Sequence, residues 1–394
     1  MSDSNRIQVR FIQETTWGTT PATASMQELR LTGESLRFNI GNEVSREIRS
    51  DRQVSDLIQT GADCSGSLEW ELSYGTYDAF MAAALFSDWS ADINLSEVNS
   101  IAATATGFTS SGAEGHNFAD IQPGQWIKVG GFTANDGENN GFYKVLAAAA
   151  GTLTTSPAPA SIEAAAAGKA ITVNGSMLRN GTTKTSFSLE KIYDDLSPKV
   201  YEAFAGMMVN QFSGAVQANS ILTGTFEFIG KSASVGTGSM SSGSVTDATT
   251  TDVMNAVANV ASIQEAGTEV SSGLVSSLNF SVNNNLRGQS AVGVLGFRGV
   301  GAGKMDVTGS LTVFFENEDL LAKYIAGTES SLSFQVGDIA GNVYIFTFHR
   351  VKFETSDQNA GGQDSDVMET LNWRSIRHAT YDCQIQIDKF AAAA

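Results

Sequence analysis

Ser35-Leu36-Arg37-Phe38-Asn39-Ile40 returns later in the chain as Ser277-Leu278-Asn279-Phe280-Ser281-Val282. Gly66-Ser67-Leu68-Glu69-Trp70 returns as Gly309-Ser310-Leu311-Thr312-Val313. The interval from Ser35 to Ser67 and that from Ser277 to Ser310 differ by one residue. Each copy then meets an acidic residue that opens a helix-like segment, Asp78-Ala79-Phe80-Met81-Ala82 and Asp319-Leu320-Leu321-Ala322-Lys323. Three elements in one order predict two tandem copies of a β-rich unit. The expected class is mainly β with short flanking helices: two tandem β-sandwich or barrel units and a small inserted β module.

Around that repeat the composition is permissive. The chain has 394 residues, enough for two or three domains, and 42% are hydrophobic, enough for a packed core. No apolar run approaches the roughly 18–20 residues that cross a bilayer, so no membrane association is expected. Met1-Ser2-Asp3-Ser4-Asn5-Arg6 lacks the basic and apolar pattern of a signal peptide. Cys64 and Cys383 are far apart and read as buried thiols. Asp and Glu number 42 against 24 Lys and Arg, a net charge of −18. Tight grip on nucleic acid comes from basic residues that displace counterions, so that class is disfavoured.

In chain order, residues 1–30 read as an N-terminal arm, with alternation over Ile7–Ile12 and a break at Trp17-Gly18-Thr19-Thr20-Pro21. Trp17 is positioned either to dock on a partner subunit or to cap its own core. The first unit is expected over 31–90 and 180–230. Its strands are Glu28–Ile40, Ser67–Tyr74, Thr185–Glu190 and Ile221–Gly230, with helices from Asp78, capped by Thr76 or Asp78, and over Pro198–Val209. Residues 91–179 are Ala-, Gly- and Thr-rich with short strand-like pieces, and read as an inserted outer β module. Residues 231–272 read as a Ser/Gly/Thr linker with a short helix near Asp252–Val260. The second unit is expected over 273–390, with strands Leu332–Val336, Val343–Phe353, Val367–Trp373 and Tyr381–Ile387. Glu43–Ala62 and Asn283–Lys304 are long connections at matching places in the repeat, the first carrying mixed charge.

Few residues point to chemistry. His116, His349 and His378 are scattered, with no helical partner spacing and no paired Cys for a metal. Gly299-Val300-Gly301-Ala302-Gly303-Lys304-Met305 departs from a phosphate loop: Arg298 replaces its first Gly and Met305 its Ser/Thr. The turn Asp136–Gly141 lacks the ligand spacing of a calcium loop. Glu69/Glu71, Asp194/Asp195 and Glu316/Glu318/Asp319 supply carboxylates, but a hydrolase needs two across a cleft. No enzyme, cofactor or metal is expected.

Several phrases taken together resemble the tail tube proteins of long-tailed, non-contractile bacteriophages. They are Glu14-Thr15-Thr16-Trp17-Gly18-Thr19-Thr20-Pro21, Leu31–Leu36, Glu47–Gln53, Glu71–Asp78, Asn283–Leu286, Val307–Leu311 and Ile385–Lys389. The resemblance covers most of the chain outside 90–180 and 231–272. It implies two tail-tube-type units, joined sheets lining a bore, and stacked rings that conduct DNA during ejection into the bacterial host. With two units per chain it implies trimeric rings of pseudo-sixfold symmetry. It further implies partners such as the tape measure and tail terminator, transient DNA passage without specific binding, synthesis in the host cytoplasm and residence in the virion tail. Arg46, Glu47, Arg49, Asp51, Arg52, Asp56, Arg287 and Arg298 become candidate inter-ring contacts, and Trp17 a candidate inter-subunit contact. Removal of residues 92–178 is expected to leave tubes intact. The rival reading is a soluble carbohydrate- or ligand-binding β-sandwich protein, which predicts a stable monomer with a pocket of exposed aromatics.

Overall fold

The computed structural model describes residues 2–98, 100–111, 118–165, 170–270 and 274–392. His116, residues 271–273 at the linker end and 393–394 of the tail lie outside the described residues. The chain is mainly β, with two α-helices among the described residues. It divides into two compact units, one of 1–87, 182–256 and 277–310, the other of 88–181, 257–276 and 311–394.

In the first unit the strands are β1 (Ile7–Gln13), β2 (Arg37–Val44), β3 (Leu57–Glu71), β4 (Phe187–Tyr193), β5 (Val200–Gln217), β6 (Thr223–Gly230) and β7 (Ser232–Gly236). They pair antiparallel in the order β1–β4–β5–β6–β3–β2. β5 is long enough to serve four neighbours. Its first half meets β4 on one edge and β7 on the other. Its second half meets β6 and residues 277–283. Helix α1 (Asp78–Ala84) buries Phe80, Met81, Ala83 and Ala84. Phe80 packs against the rings of Phe11, Phe187, Phe226 and Phe228. Neither expected side chain caps α1; the Thr76 hydroxyl instead bonds Ser73 Oγ at 2.7 Å.

The later strands are β8 (Val260–Glu265), β9 (Val275–Asn283), β10 (Asp306–Phe314), β11 (Ser330–Gly337), β12 (Val343–Ala360), β13 (Val367–Ser375) and β14 (Gln386–Phe390), with helix α2 (Asp319–Ala326). In the second unit the order is β8–β11–β12–β13–β10, and β10 in turn pairs with β9. β12, like β5, spans 18 residues and opens Val-Tyr. Its first half meets β11 and β14, and its second half meets β13.

The second unit also contains the Ala-rich segment. Seven strands pair there in the order 101–104, 107–110, 152–156, 141–149, 126–130, 170–179, 93–98. Phe108, Phe118, Ile127, Val129, Tyr143, Val145 and Leu153 form its core. The buried Glu163 carboxylate organises its edge, accepting the N–H groups of Thr133 and Ala134 at 3.1 and 3.2 Å. Residues 176–179 of the last long strand continue into a ladder with 386–389 of β14.

Several local expectations change. Residues 198–209 do not form a helix; Val200–Gln217 is a strand, because pairing on both edges outweighs the helical propensity of its Ala and Met residues. Residues 252–260 carry bridges and turns rather than a helix. The N-terminal residues contribute β1 to the sheet, with Val9 and Phe11 buried. Glu28–Ile40 is broken into Gln27–Leu29, Gly33–Glu34 and β2. Tyr381–Ile387 yields only β14, which starts at Gln386.

Candidate assembly surfaces

The first long connection is a β-hairpin. β2 and β3 pair from Arg37↔Ser65 to Val44↔Leu57, and Ser45 N–H donates to the Asp56 carbonyl at 3.0 Å to close the arm. Arg46, Glu47, Arg49, Asp51, Arg52 and Asp56 are all exposed in or beside its loop. Two of the acids shape that loop. The Arg49 guanidinium grips Asp51 through Nε (3.0 Å) and Nη2 (2.7 Å), holding the Asp51 carboxyl below its ordinary range. Asp56 Oδ1 accepts the Leu57 N–H at 2.8 Å. Arg46, Glu47 and Arg52 form no ion pair among the described residues. Beside them stand exposed apolar side chains: Val44, Val54, Leu57, Ile58 and Ile48, which is 100% exposed.

The second connection is also a hairpin, Arg287–Ser290 with Phe297–Gly301. The Phe297 ring lies over Gly288, where a Cβ would stand 2.1 Å from it. Val292, Val294 and Leu295 are exposed at its tip, and Arg287 and Arg298 flank it, exposed. Its base is anchored. Leu286 packs with Phe86 and Met208, and Asn284 Nδ2 donates to the carbonyls of Ala84 (2.8 Å) and Val209 (3.1 Å).

Trp17 is half-buried against its own unit. Its Nε1 donates to the Gly206 carbonyl at 3.0 Å, and Lys231 Nζ stands 5.0 Å from its ring. β5 bends there, with Gly206 at φ +73°. Glu14 holds the turn: its carboxylate accepts Ser186 Oγ (2.7 Å), Ser188 Oγ (2.8 Å) and the Gly206 N–H (2.8 Å).

The sheet β2–β3–β6–β5 has two unlike faces, as strand alternation requires. Leu68, Trp70, Phe226, Phe228 and Phe212 point into the core. The opposite face carries Ser67, Glu69 and Glu71 on β3, Thr223, Thr225 and Glu227 on β6, and Gln211 and Ser213 on β5. β9 extends it with Ser277, Asn279, Ser281 and Asn283. Hydroxyls, amides and three carboxylates line these rows with no Lys or Arg among them, while β2 adds Arg37 and Asn39 to the same face, opposite Ser65 and Asp63. In the second unit the corresponding face carries Thr312, Thr370 and Asn372, and an ion pair between Arg374 and Glu354 at 2.5 Å.

Among the described residues singled out for chemistry, His349 and His378 come together, their rings 6.0 Å apart with Tyr381 beside both, and the other groups lie apart from them. His349 is buried, with its pKa held well below the ordinary value by desolvation, and its Nε2 lies 3.0 Å from Gln386 Oε1. Asp194 and Asp195 are tied to Lys199, Arg6 and Ser2. Glu69 and Glu71 stand on an open sheet face. The Gly299–Met305 segment belongs to a β-hairpin, not to a strand-to-helix turn. Among the described residues no group of three His, Cys, Asp or Glu could hold a metal ion. Among the described residues no helix is long and apolar enough to cross a membrane.

Two surfaces escaped the sequence reading. They are the apolar side chains on the two hairpins, which have no periodic pattern to mark them beside the charges. Extending the repeat four residues, to align Asn42 with Asn284 and Val44 with Leu286, would have flagged one of them. Compared with known families, residues 4–375 match the one described as phage tail tube protein. No curated protein matches the sequence.

Proposed function

This chain belongs to the phage tail tube protein family, and we propose that it polymerises as stacked rings whose bore conducts DNA during ejection into the bacterial host. Membership makes it a structural protein of the virion tail that self-assembles into the tail tube. The observation that carries the conduit reading is the two-faced sheet. One face is an aromatic core; the other is a lawn of hydroxyls, amides and carboxylates with no Lys or Arg on the β3, β6, β5 and β9 rows. DNA passing such a wall meets few cations, Arg37 on β2 and the Glu354-paired Arg374, among many more carboxylates, hydroxyls and amides, so its counterions are little displaced and it is repelled or ignored rather than held.

The two tandem tail-tube units are part of this reading. The pairing orders β1–β4–β5–β6–β3–β2 and β8–β11–β12–β13–β10–β9 support them, since each strand type recurs at the same place. Three chains then make a ring of six similar lobes. The hairpins at 45–56 and 291–296, with their exposed apolar and charged side chains, contact the next ring. The Ala-rich module decorates the outside. The tape measure would fill the bore and a terminator would cap the tube, after synthesis in the host cytoplasm. The role is structural rather than catalytic.

Negative-stain microscopy of the purified protein at high concentration tests this. Hollow tubes or rings are expected; a monodisperse monomer at every concentration overturns it.

A further inference from the structure

Two equivalent strands have unequal fates in this chain. β9 is clamped between β10 and the second half of β5, with Asn283 opposite Gln211 and Leu278 opposite Val216. Among the described residues β2 pairs with β3 alone. Their sequences align without a gap, Leu36-Arg37-Phe38-Asn39-Ile40-Gly41-Asn42-Glu43-Val44 on Leu278-Asn279-Phe280-Ser281-Val282-Asn283-Asn284-Asn285-Leu286. Positions buried in one copy are bare in the other. Val282 is 0% exposed and Ile40 42%; Leu286 is 7% exposed and Val44 50%. Asn284 is buried and bonds two carbonyls, while Asn42 is exposed.

The hosts are equally mismatched. On β5 the edge over 211–217 is filled by β9. On β12 the equivalent edge, over 355–360, has no partner strand among the described residues. The bulge between Val209 and Gln211 on β5 matches that between Phe353 and Thr355 on β12, which sets the correspondence. α1 buries four residues and α2 none, leaving Ile325 75% exposed. The 355–360 edge is polar and unpaired, β2 bares Ile40 and Val44 beside its own free edge, and an unpaired edge invites a strand of another chain.

We propose that β2 of one protomer pairs with the 355–360 edge of β12 on the next copy of this chain, in the register that β9 and β5 use within one chain. This rests on the ring reading above and specifies its closure. Gly41 then stands opposite Thr355, Ile40 opposite Ser356, Asn39 opposite Asp357, Phe38 opposite Gln358 and Arg37 opposite Asn359. Asn39 meets a carboxylate, and Arg37 lies diagonal to the same Asp357, within reach of a long side chain. Asn42 repeats the part of Asn284, its amide donating to carbonyls at the C-terminal end of the neighbour's α2 and at Phe353. The register is defined because a slip by one residue would turn Ile40 and Val44 to the polar face.

Paired cysteines test it. Opposite residues on one face approach closely enough for a disulfide, whereas residues one apart point to opposite faces. Cys64 and Cys383 are buried and leave the background clean. Ile40→Cys with Ser356→Cys should give, on mild oxidation of assembled protein, covalent dimers and trimers on a non-reducing gel. Ile40→Cys with Asp357→Cys should give none. If rings form but the second pair links and the first does not, the register is overturned while the ring reading stands. If wild-type protein forms no rings at all, the ring reading itself fails. A second contrast is independent of oxidation. Ile40→Lys should leave the monomer's melting temperature unchanged and abolish assembly, whereas Val282→Lys should unfold the monomer. Normal assembly by Ile40→Lys overturns the proposal.

Discussion

Trp126→Ala tests whether the Ala-rich module is an ornament or part of the second unit's core. Trp126 is 6% exposed and packs with Val343 and Ile345 of β12 and Phe390 of β14. Its Nε1 donates to Thr347 Oγ1 at 3.0 Å, and its backbone N–H donates to Asp388 Oδ1 at 3.1 Å. Truncating a buried Trp to Ala costs about 3–5 kcal/mol, transfer and cavity terms together. At about 1.4 kcal/mol per tenfold change, opening of β12 and β14 should become roughly 140- to 3700-fold more frequent. Trp126→Phe keeps most of the apolar contact and loses only the donor to Thr347, so a change of about 1–2 kcal/mol is expected. Hydrogen exchange read by mass spectrometry on peptides covering 343–348 and 386–390 measures this directly. Faster exchange confined to the module's own peptides, with those two unchanged, would refute the reasoning. The same packing revises the expected effect of deleting 92–178. Uncovering Val343, Ile345 and Phe390 forfeits about 1.5–3 kcal/mol each, a large share of a domain's stability. Loss of tubes after a plain deletion would therefore report damaged folding as much as a role in assembly.

Three further outcomes are expected. Burial raises the Asp388 pKa to about 7, against the opposing hydrogen bonds from Gln386 and Trp126 and the nearby Arg179 and Lys144. A folded pKa above the unfolded one gives stability that is present below about pH 4 and lost as pH rises through 7. Denaturant midpoints should thus fall across that window, at most roughly 1.4 kcal/mol per pH unit, and Asp388→Asn should flatten the slope. A Cβ at Gly224 would stand 2.1 Å from the Trp70 ring, so Gly224→Ala should lower stability by about 1–3 kcal/mol in a thermal melt. Converting Glu69, Glu71 and Glu227 to Lys should leave tubes visible by microscopy but make them retain DNA in a salt-dependent way. Unchanged DNA retention would remove that face from the bore.

Much of this fold was legible because the strands alternate in the open. Leu68, Trp70 and Leu72 against Ser67, Glu69 and Glu71 announce one buried and one polar face before any coordinates exist. Asp78 and Asp319 do open helices, at the predicted places in the repeat. Val200–Val209 failed for a physical reason. Its Ala and Met residues favour a helix locally, and only the four strands that bracket β5 reverse the choice. The candidate assembly surfaces were legible as charge and illegible as apolar area. Arg46, Glu47, Arg49, Asp51, Arg52 and Asp56 stand out in any sequence, whereas Ile48 or Val54 is remarkable only once it is found bare to solvent. Trp17 illustrates the converse, since its single bond to Gly206 ties it to its own unit and nothing in the adjacent sequence specifies that partner.

The copy number of an isolated ring, by native mass spectrometry joined to top-view microscopy, bears most directly on the duplication. Three chains enclosing a bore of six similar lobes are predicted. Six chains per ring, or a ring of three plain lobes, would contradict the account.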